Sequence, residues 1–279
     1  MEAHLARSVK LALLPILGGE RIERLQLARK LGYVPNIRRP RSYNEKLLHR
    51  KFYSPVPDSE FYADKWKSRD FVRERVGEQV LNEVYGAYRE ADAIDFDRLP
   101  EQFAIKMNNA SKRNILVADK SKLDLDATRA QLRRWLAHAF GVVTSERFYL
   151  GMEPVIIIER YVPHDVFYSL HLFHGKVRYT ETHADPLSPR HWSNWYDNDW
   201  RMQPFIQGTQ GGPALPRPRF LEEMIDAADR IGADFDYVRL DFYPEREARI
   251  LFSEITLVPA AGYSPFKPTE VDFELGKLW

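Results

Sequence analysis

Cysteine is absent from this chain of 279 residues. Its absence excludes disulfide bonds, zinc sites built on thiolates and cysteine nucleophiles, and it fits a cytoplasmic protein. Long apolar runs are absent too, because the stretch from Leu11 to Leu17 contains Pro15 and is far too short to cross a bilayer. We interpret that stretch as part of an amphipathic helix, for which weak contact with a membrane surface stays open.

An excess of either charge is also missing. The chain has 41 Lys and Arg against 40 Asp and Glu, a formal net charge of +1. We therefore expect no nucleic-acid partner, since such binding needs a basic field. The glycine-rich dinucleotide motif, the P-loop and the Gly-x-Ser-x-Gly elbow do not occur. The composition is typical of a globular protein with one large domain or two modest ones.

The predicted elements favour an α+β fold. Residues 1–31 look helical, Ser42 and Glu45 have the spacing of a helix capping box, and a further helix is predicted over 61–76. Later segments are predicted as strands or helices: 80–88, 103–107, 114–118, 155–158, 166–173 and 176–182 as strands, 125–140 and 220–231 as helices. Residues 183–219 are predicted to be loop-rich. The absence of a βαβ period favours α+β over a doubly wound sheet.

The most informative pattern is a predicted hairpin near the C-terminus. The segments 237–243 and 250–258 read as buried strands, and the polar run between them predicts a turn. Residues two apart in a strand share a face, so Arg239 accompanies Asp241, and Glu254 accompanies Thr256. A hairpin centred near Glu247 and Ala248 places Asp241 opposite Glu254.

Directly opposed carboxylates repel each other, because their Cβ atoms are only roughly 4.5–5.5 Å apart. Asp241 and Glu254 therefore need a cation between them, and Mg²⁺ suits such a pair because water and substrate phosphates complete its octahedron. Arg239 is expected opposite Thr256 in the same register. A solvated face of an exposed hairpin is the alternative interpretation.

Lys106 lies within the apolar strand 103–107, where its ammonium group must find a partner or reach solvent. One interpretation is a phosphate contact, with Lys112, Arg113 and backbone N–H groups of the next loop closing over the phosphates. A sheet-edge lysine that prevents aggregation is the alternative.

Glu159 follows four consecutive apolar residues, and this strand end leads into Tyr161. The arrangement suits a slot for adenine, although an ordinary strand terminus is common. Asp165 and Lys65 are weaker candidates of the same kind. The spacing of the five histidines between residues 164 and 191 matches no metal motif. The aromatic loop 191–200 suits either a stacked sugar or a loop held against its domain.

Together these residues resemble the TupA-like branch of the ATP-grasp enzymes. The resemblance runs from Arg41-Ser42-Tyr43-Asn44-Glu45-Lys46 to Pro265-Phe266-Lys267-Pro268. Between these ends it is carried by short motifs: Asp64-Lys65, Arg69, Phe103-Ala104-Ile105-Lys106-Met107-Asn108, Ser111, Asn114, Glu159-Arg160-Tyr161, Phe173-His174-Gly175-Lys176, Tyr196-Asp197, Asp199-Trp200, Val238-Arg239-Leu240-Asp241, Glu254-Ile255-Thr256, Pro259 and Gly262.

The resemblance implies an ATP-grasp fold, in which two α+β lobes hold ATP between them. The implied division is a helical N-terminal region at 1–100, a smaller lobe at 101–162 and a larger lobe at 163–279. It also implies an ATP-dependent carboxylate–amine ligase that works through an acyl phosphate. An amino acid and a uronic-acid-type carboxylate of a cell-surface polysaccharide are the substrates it suggests.

The resemblance also implies roles for individual residues. Asp241 and Glu254 would hold Mg²⁺ on the ATP phosphates, with Thr256 a less certain ligand, and Arg239 would stabilise the transferring group. Lys106 and Lys65 would neutralise phosphate oxygens. The remaining candidates for nucleotide binding are Ser111, Lys112, Arg113, Glu159, Tyr161 and Asp165.

One segment departs from the family pattern. Where the family has His-Gly-Ser-Gly-Trp-Asn, this chain has Asn109-Ala110-Ser111-Lys112-Arg113-Asn114, so both glycines are replaced. Side-chain charge then substitutes for backbone N–H groups, or catalysis is altered or lost. A non-catalytic nucleotide-binding scaffold and a glycosyltransferase in polysaccharide biosynthesis are therefore kept as alternatives to the ligase.

Overall fold

The computed structural model describes residues 18–138, 140–186, 188–245 and 249–279. The apolar stretch near the N-terminus and the tip of the predicted hairpin, Glu247 and Ala248, lie outside these ranges. Helix α1 spans Gly19–Leu31, and α2 spans Tyr43–Phe52. The Ser42 side chain accepts from the Glu45 N–H and the Glu45 side chain accepts from the Ser42 N–H, so the predicted capping box is confirmed.

The single helix predicted over 61–76 is wrong. The structure has two helices, α3 at Ser59–Ala63 and α4 at Ser68–Val76, separated by a turn. The turn forms because Asp64 Oδ1 accepts the N–H groups of Trp66 at 2.8 Å and Lys67 at 3.1 Å. A short acidic side chain that bonds the backbone two and three residues ahead competes with helix continuation. The interruption sets Lys65 between the two helices.

The first sheet has four antiparallel strands in the order β1-β4-β2-β3. Its strands are β1 at Val84–Tyr88, β2 at Phe103–Met107, β3 at Asn114–Val117 and β4 at Ile156–Arg160. Helix α5, Leu125–Ala137, follows β3. The domain divisions at residues 100 and 162 stay predictions, and β1 joins this sheet from the N-terminal side of residue 100.

The second sheet has five antiparallel strands in the order β10-β9-β5-β6-β7. Its strands are β5 at Val166–Phe173, β6 at Lys176–Ala184, β7 at Trp192–Tyr196, β9 at Tyr237–Glu245 and β10 at Arg249–Thr256. Helix α6, Leu221–Gly232, packs on it through Met224, Ala228 and Ile231, which are fully buried. This sheet and the helices α2, α4 and α6 share the largest hydrophobic core of the described residues.

Smaller elements complete the fold. Strands β8 at Ile206–Gln207 and β11 at Phe266–Lys267 form a two-stranded sheet, and helix α7 spans Glu270–Leu278. Short 3-10 helices occupy Glu78–Val80, Ala91–Ala93, Phe96–Arg98, Lys120–Lys122, Arg147–Tyr149 and Pro259–Gly262. Within the described ranges, no helix combines the length and the apolar character that a membrane crossing needs. The architecture is α+β, as predicted.

Candidate active site

The hairpin of β9 and β10 brings two carboxylates side by side. Glu254 pairs with Asp241 and Thr256 pairs with Arg239, so the predicted pairing is confirmed. A β-bulge in β10 produces this pairing. Nearer the turn, the paired residues follow a register that, if it continued, would place Ser253 opposite Asp241. The extra residue between Phe252 and Glu254 shifts the register by one and moves Glu254 onto the face of Asp241.

Two side chains of the protein supply the cations that this carboxylate pair requires. Arg239 contacts Asp241 through both nitrogens of a fork, Nε to Oδ1 at 2.8 Å and Nη2 to Oδ2 at 2.6 Å. Its Nη2 also lies 3.6 Å from Glu254 Oε1. Lys65 approaches from the turn between α3 and α4, and its Nζ lies 2.7 Å from Glu254 Oε2.

Two hydroxyl groups complete the surroundings of the pair. Ser169 of β5 donates from Oγ to Asp241 Oδ1 at 2.8 Å, and Thr256 Oγ1 lies 3.3 Å from Glu254 Oε1. Ser169 was not predicted from the sequence. Its signal is a small polar residue in a buried, mostly apolar strand, directly beside Asp241 in the sheet.

The two carboxyl groups are driven toward different proton affinities. Burial alone would raise the pKa of Glu254. The positive charges of Lys65 and Arg239 outweigh this effect and lower the pKa to about 2. Burial also raises the pKa of Asp241, and although Arg239 opposes this, the neighbouring Glu254 charge adds to the increase. Two carboxylates that share one site commonly separate in this way. Glu254 is therefore the firmly ionised member of the pair.

Lys106 projects from β2 and forms an ion pair with Glu159 of β4. The two residues are diagonal neighbours on one face of the first sheet, since Ala104 pairs with Glu159 and Lys106 with Ile157. Burial lowers the pKa of Lys106, but Glu159 and Tyr243 together raise it above its ordinary value. Lys106 is thus a partly buried cation, and Glu159, predicted beside adenine, contacts it directly.

Lys65 joins the loop after β2 to the carboxylate hairpin. Besides its contact with Glu254, its Nζ donates to the carbonyl of Ala110 at 2.9 Å, and its backbone N–H donates to the carbonyl of Asn108 at 3.1 Å. Asn108 in turn donates to Asp64 Oδ2 at 2.8 Å. The turn that breaks the predicted helix therefore positions Lys65 against both sheets.

The loop after β2 keeps an unusual backbone despite its lack of glycine. Ser111 and Lys112 are exposed, and Lys112 has a φ of 59°, in the left-handed region, at a position where the family pattern has glycine. Arg113 points elsewhere, because its Nη1 donates to the carbonyls of Trp135 at 2.9 Å and His138 at 3.1 Å, at the end of α5. The structure does not bring the Arg113 guanidinium to Lys106.

Tyr161 and Asp165 lie in the connection between the two sheets. Tyr161 is half-buried directly after β4, whereas Asp165 is exposed just before β5. In this connection the His164 ring stacks on Tyr243 at 4.8 Å, and Lys106 Nζ lies 5.6 Å from the centre of the Tyr243 ring. Tyr243, which the sequence analysis also missed, thus packs at the junction between Lys106 and the hairpin.

The aromatic loop predicted at 191–200 is mostly structural. Trp192–Tyr196 forms strand β7, and the Trp195 ring is fully buried. Tyr196 stacks on Trp200 at 4.3 Å, and Trp200 Nε1 donates to the carbonyl of Leu215 at 2.9 Å. These rings hold the segment against the domain, as the alternative interpretation stated.

The cleft contains two carboxylates on a hairpin, and the cations around them are Arg239 on the same hairpin, Lys65 in the turn before α4 and Lys106 on the other sheet. Such a fold and site define a protein of the ATP-grasp class. The family model described as TupA-like ATPgrasp matches residues 45–279. Because the match covers most of the chain, the protein belongs to the TupA-like ATP-grasp family. A comparison with curated proteins finds no match.

Solved ATP-grasp ligases are similar to this chain at low identity. The ligase PsnB with its minimal precursor is 14% identical, with a TM-score of 0.42 over 72% of this chain and 54% of that one. D-alanine–D-alanine ligase from Bacillus anthracis with ATP is 14% identical, with a TM-score of 0.46 over 71% and 56%. L-amino acid ligase from Bacillus licheniformis is 13% identical, with a TM-score of 0.47 over 78% and 46%. The chain thus spans about half the length of these structures.

Proposed function

We propose that this protein is an ATP-dependent carboxylate–amine ligase. One observation carries the proposal: Asp241 and Glu254 are neighbours on one hairpin face, and Lys65 joins that hairpin to the loop that follows the lysine strand. Opposed cations and carboxylates are the groups that position a nucleotide triphosphate and neutralise its transferring phosphate. Membership of the ATP-grasp family supports the same conclusion.

The residues that would hold Mg²⁺ are Asp241 and Glu254, with Thr256 beside them. Among the described residues, no group of three or more His, Asp or Glu side chains is arranged to hold a metal ion. Two carboxylates nevertheless fit Mg²⁺, which takes the rest of its oxygen ligands from water and phosphates. The Arg239 and Lys65 cations already beside this pair indicate that it attracts positive charge. When bound, Mg²⁺ would neutralise charge on the β- and γ-phosphates.

Lys106 and Lys65 would bind phosphate oxygens. To do so, Lys106 must leave Glu159, and Lys65 must leave Glu254. Ser111 and Lys112 lie exposed in the loop after β2 and would close over the phosphates. Arg113 would join them only by leaving the end of α5. We place adenine beside Tyr161 and Asp165, in the connection between the sheets, with Glu159 holding Lys106 nearby. The nucleotide would then lie between the two sheets.

The reaction has two steps. A substrate carboxylate oxygen attacks the γ-phosphorus of ATP, the bond to the β-phosphate oxygen breaks, and an acyl phosphate and ADP form. An amine then attacks the acyl carbon, and phosphate leaves with the electron pair of the C–O bond. Arg239, on the same sheet face as both carboxylates, would stabilise the negative charge that develops in each step. An amino acid and a uronic-acid-type carboxylate of a polysaccharide precursor are the proposed substrates.

Release of ADP is the test. Purified protein with MgATP, glucuronic acid and a panel of amino acids should release ADP over many turnovers only when both substrates are present. Asp241→Asn and Glu254→Gln should each lower the rate at least about 100-fold, as losing one preorganised electrostatic group typically does. Arg249→Gln, on the outer end of the same hairpin, is the matched control and should keep the rate. Unchanged turnover in both carboxylate variants would contradict the site assignment.

A non-catalytic nucleotide-binding scaffold is the second candidate, and the loop after β2 favours it. Ala110 and Lys112 replace the two family glycines there, and Arg113 is tied to the end of α5. Tight MgATP binding without turnover across the whole substrate panel would support the scaffold. Thermal stabilisation by UDP-sugars but not by MgATP would instead favour a glycosyltransferase. A ligand at 100 times its dissociation constant stabilises by about 2.7 kcal/mol, which makes each outcome measurable.

A further inference from the structure

A row of polar side chains crosses the five-stranded sheet on the face of the carboxylate hairpin. Along this row Trp195 pairs with Glu181, Glu181 with Ser169, Ser169 with Asp241, and Asp241 with Glu254. Directly paired residues point to the same face of a sheet, so the five side chains lie side by side. Asp241 and Glu254 form the proposed magnesium site at one end. The proposed ATP site does not use the other end, Glu181 and Trp195.

Glu181 is a buried carboxylate, and only 7% of its side chain is exposed. His183 Nε2 lies 3.4 Å and His171 Nε2 lies 3.7 Å from Glu181 Oε2, but both ring nitrogens are buried without a hydrogen-bond partner. Burial raises the pKa of Glu181, whereas His183 and His171 lower it well below its usual range, so the carboxylate is ionised. Charged donors stabilise a buried carboxylate best. Glu181 therefore fits a ligand with a positively charged N–H group.

Two donors without acceptors lie beside this carboxylate on β7. The Trp195 ring is fully buried, and its Nε1–H has no hydrogen-bond partner among the described residues. Ser193 is two residues earlier in β7, hence on the same face, and its buried Oγ is likewise unpartnered there. An indole N–H can only donate, and a buried donor without an acceptor is costly. A ligand that donates to Glu181 and accepts from Trp195 and Ser193 would satisfy all three groups.

The position of Glu181 relative to the magnesium site follows from the sheet register. Glu181 and Asp241 both pair with Ser169, so they are two strands apart, roughly 10 Å at the usual strand spacing. That separation leaves room for the transferred phosphate and the acyl group of the proposed intermediate. Aromatic rings close the sheet face on one side of Glu181, where Trp195 lies 4.3 Å from His171 and 5.5 Å from Phe266 between ring centroids. On the opposite side, the His183 side chain is 13% exposed.

We propose that Glu181 binds the ammonium group of an α-amino acid, and that the Trp195 indole and the Ser193 hydroxyl donate to the carboxylate of the same molecule. The inference rests on the proposed ligase function, for which it names the amine subsite. An α-amino acid carries a cationic donor and an anionic acceptor one carbon apart, which matches an ionised acceptor beside two donors. A sugar hydroxyl would also donate to Glu181, but it would leave the charge of this carboxylate unbalanced.

The kinetic experiment uses the amino acid of the panel that gives the fastest ADP release with MgATP and glucuronic acid. Glu181→Gln should raise the KM for this amino acid at least about 10-fold, because hydrogen bonds to charged groups are among the strongest. Its kcat should stay within about threefold and its KM for MgATP within about twofold, as expected for a residue that only binds one substrate. Glu222→Gln, at an exposed glutamate of α6, is the matched control and should change neither constant. An unchanged KM for the amino acid, or an equal rise for MgATP, would overturn the proposal.

Nitrogen-15 NMR of the indole N–H groups provides a readout that does not depend on turnover. The protein has 6 tryptophans, and Trp195→Phe identifies the Trp195 signal by its loss. An amino acid of the panel should shift this signal as the indole gains an acceptor, and Glu181→Gln should weaken the binding at least about 10-fold. A signal that moves with glucuronic acid alone, or with no amino acid of the panel, would overturn the proposal. A shift without any ADP release supports the subsite and contradicts the ligase.

Discussion

Arg239 holds Asp241 through a two-nitrogen fork and reaches Glu254 with the same guanidinium group, at 2.6 Å and 3.6 Å from Nη2. The two carboxylates repel each other, and the arginine keeps them together. The site that we assign to Mg²⁺ is therefore kept in shape by a resident cation. A metal ion that binds there must compete with the Arg239 guanidinium group for the carboxylates, unless that group has turned toward the nucleotide.

Replacing this arginine separates its structural effect from metal binding. Arg239→Gln should destabilise the protein by about 3–5 kcal/mol, because it removes the guanidinium group that pairs with the buried Asp241 carboxylate. Excess Mg²⁺ should then raise the melting temperature of the variant more than that of the wild type. Calorimetric unfolding with EDTA and with MgCl₂ measures both effects.

Arg249→Gln is the control for this comparison. Arg249 pairs with Glu245 at the outer end of the same hairpin and its side chain is 42% exposed, so its loss should cost less than about 1 kcal/mol. Mg²⁺ should change the melting temperature of Arg249→Gln by as much as that of the wild type. Equal magnesium shifts in all three proteins would mean that the carboxylate pair is not a cation site.

The backbone at Lys112 gives a second prediction. A left-handed φ costs a non-glycine residue roughly 1–2 kcal/mol, and the greater freedom of unfolded glycine costs about 0.5–1 kcal/mol. Lys112→Gly should therefore change the free energy of unfolding by about 0 to +1.5 kcal/mol, whereas Lys112→Val should destabilise the protein, because a branched side chain tolerates this φ poorly. Urea unfolding of the two variants measures the difference.

The same variant tests how the loop would bind phosphate. We expect Lys112→Gly to keep the MgATP dissociation constant within about threefold, because the backbone already has the conformation that glycine favours. Titration calorimetry measures this constant, with Lys122→Gly, at a largely exposed lysine outside the loop, as the control. A loss of tenfold or more in Lys112→Gly alone would show that the lysine charge replaces the backbone N–H groups.

Local patterns were sufficient to predict much of the fold. The alternation of side chains placed Arg239 with Asp241 and Glu254 with Thr256, and β2 has the predicted bounds. The capping box at Ser42 was equally readable, since it depends on two residues three positions apart. These features are determined within a few residues of the chain, where period and turn chemistry dominate.

Features that depend on distant partners could not be predicted. Strand β7 was missed because its buried Ser193 and Asn194 look like loop residues until β6 lies beside them. Helix α7 was missed in the C-terminal tail, where its Asp272 accepts the N–H of Asn44 at 2.9 Å. Lys65 and Glu254 are far apart in the sequence, so no periodic pattern could predict their contact.

Buried His171 should make the fold sensitive to moderate acid. Burial lowers the pKa of His171 from 6.5 to about 4, with Glu181 opposing the decrease. The unfolded chain thus binds a proton that the folded protein excludes. The contribution of neutral His171 to the free energy of unfolding is fully present above about pH 6.5. The free energy of unfolding should fall by up to about 3 kcal/mol as the pH decreases toward 4.

His171→Phe identifies the source of this loss. Phenylalanine keeps the packing against Trp195, whose ring centroid lies 4.3 Å away, but it cannot take a proton. The variant should be less stable at neutral pH, because Tyr237 loses its contact with His171 Nδ1, and its stability should vary less between pH 6.5 and 4. Denaturant titrations across this range measure the slope, and an unchanged slope would assign the acid sensitivity to other groups.

A buried ion pair connects the N-terminal helix to the rest of the protein. Lys51 and Glu23 are both fully buried as side chains, and Lys51 Nζ also donates to the carbonyls of Thr144 at 2.8 Å and Ala261 at 2.9 Å. One ammonium group thereby joins α2, α1, a loop and the 3-10 helix at Pro259–Gly262. Removing it takes the ammonium group away from the buried Glu23 carboxylate, so Lys51→Met should cost about 3–5 kcal/mol of unfolding free energy.

A double-mutant cycle separates the lost pair from the stranded charge. Glu23→Gln combined with Lys51→Met should recover part of the stability that Lys51→Met loses, because no ionised group then remains buried. The exposed pair of Arg133 with Asp92 is the control, and Arg133→Met should cost less than about 1 kcal/mol. If the double variant were no more stable than Lys51→Met, the carbonyl contacts of Lys51, rather than the charge of Glu23, would account for the loss.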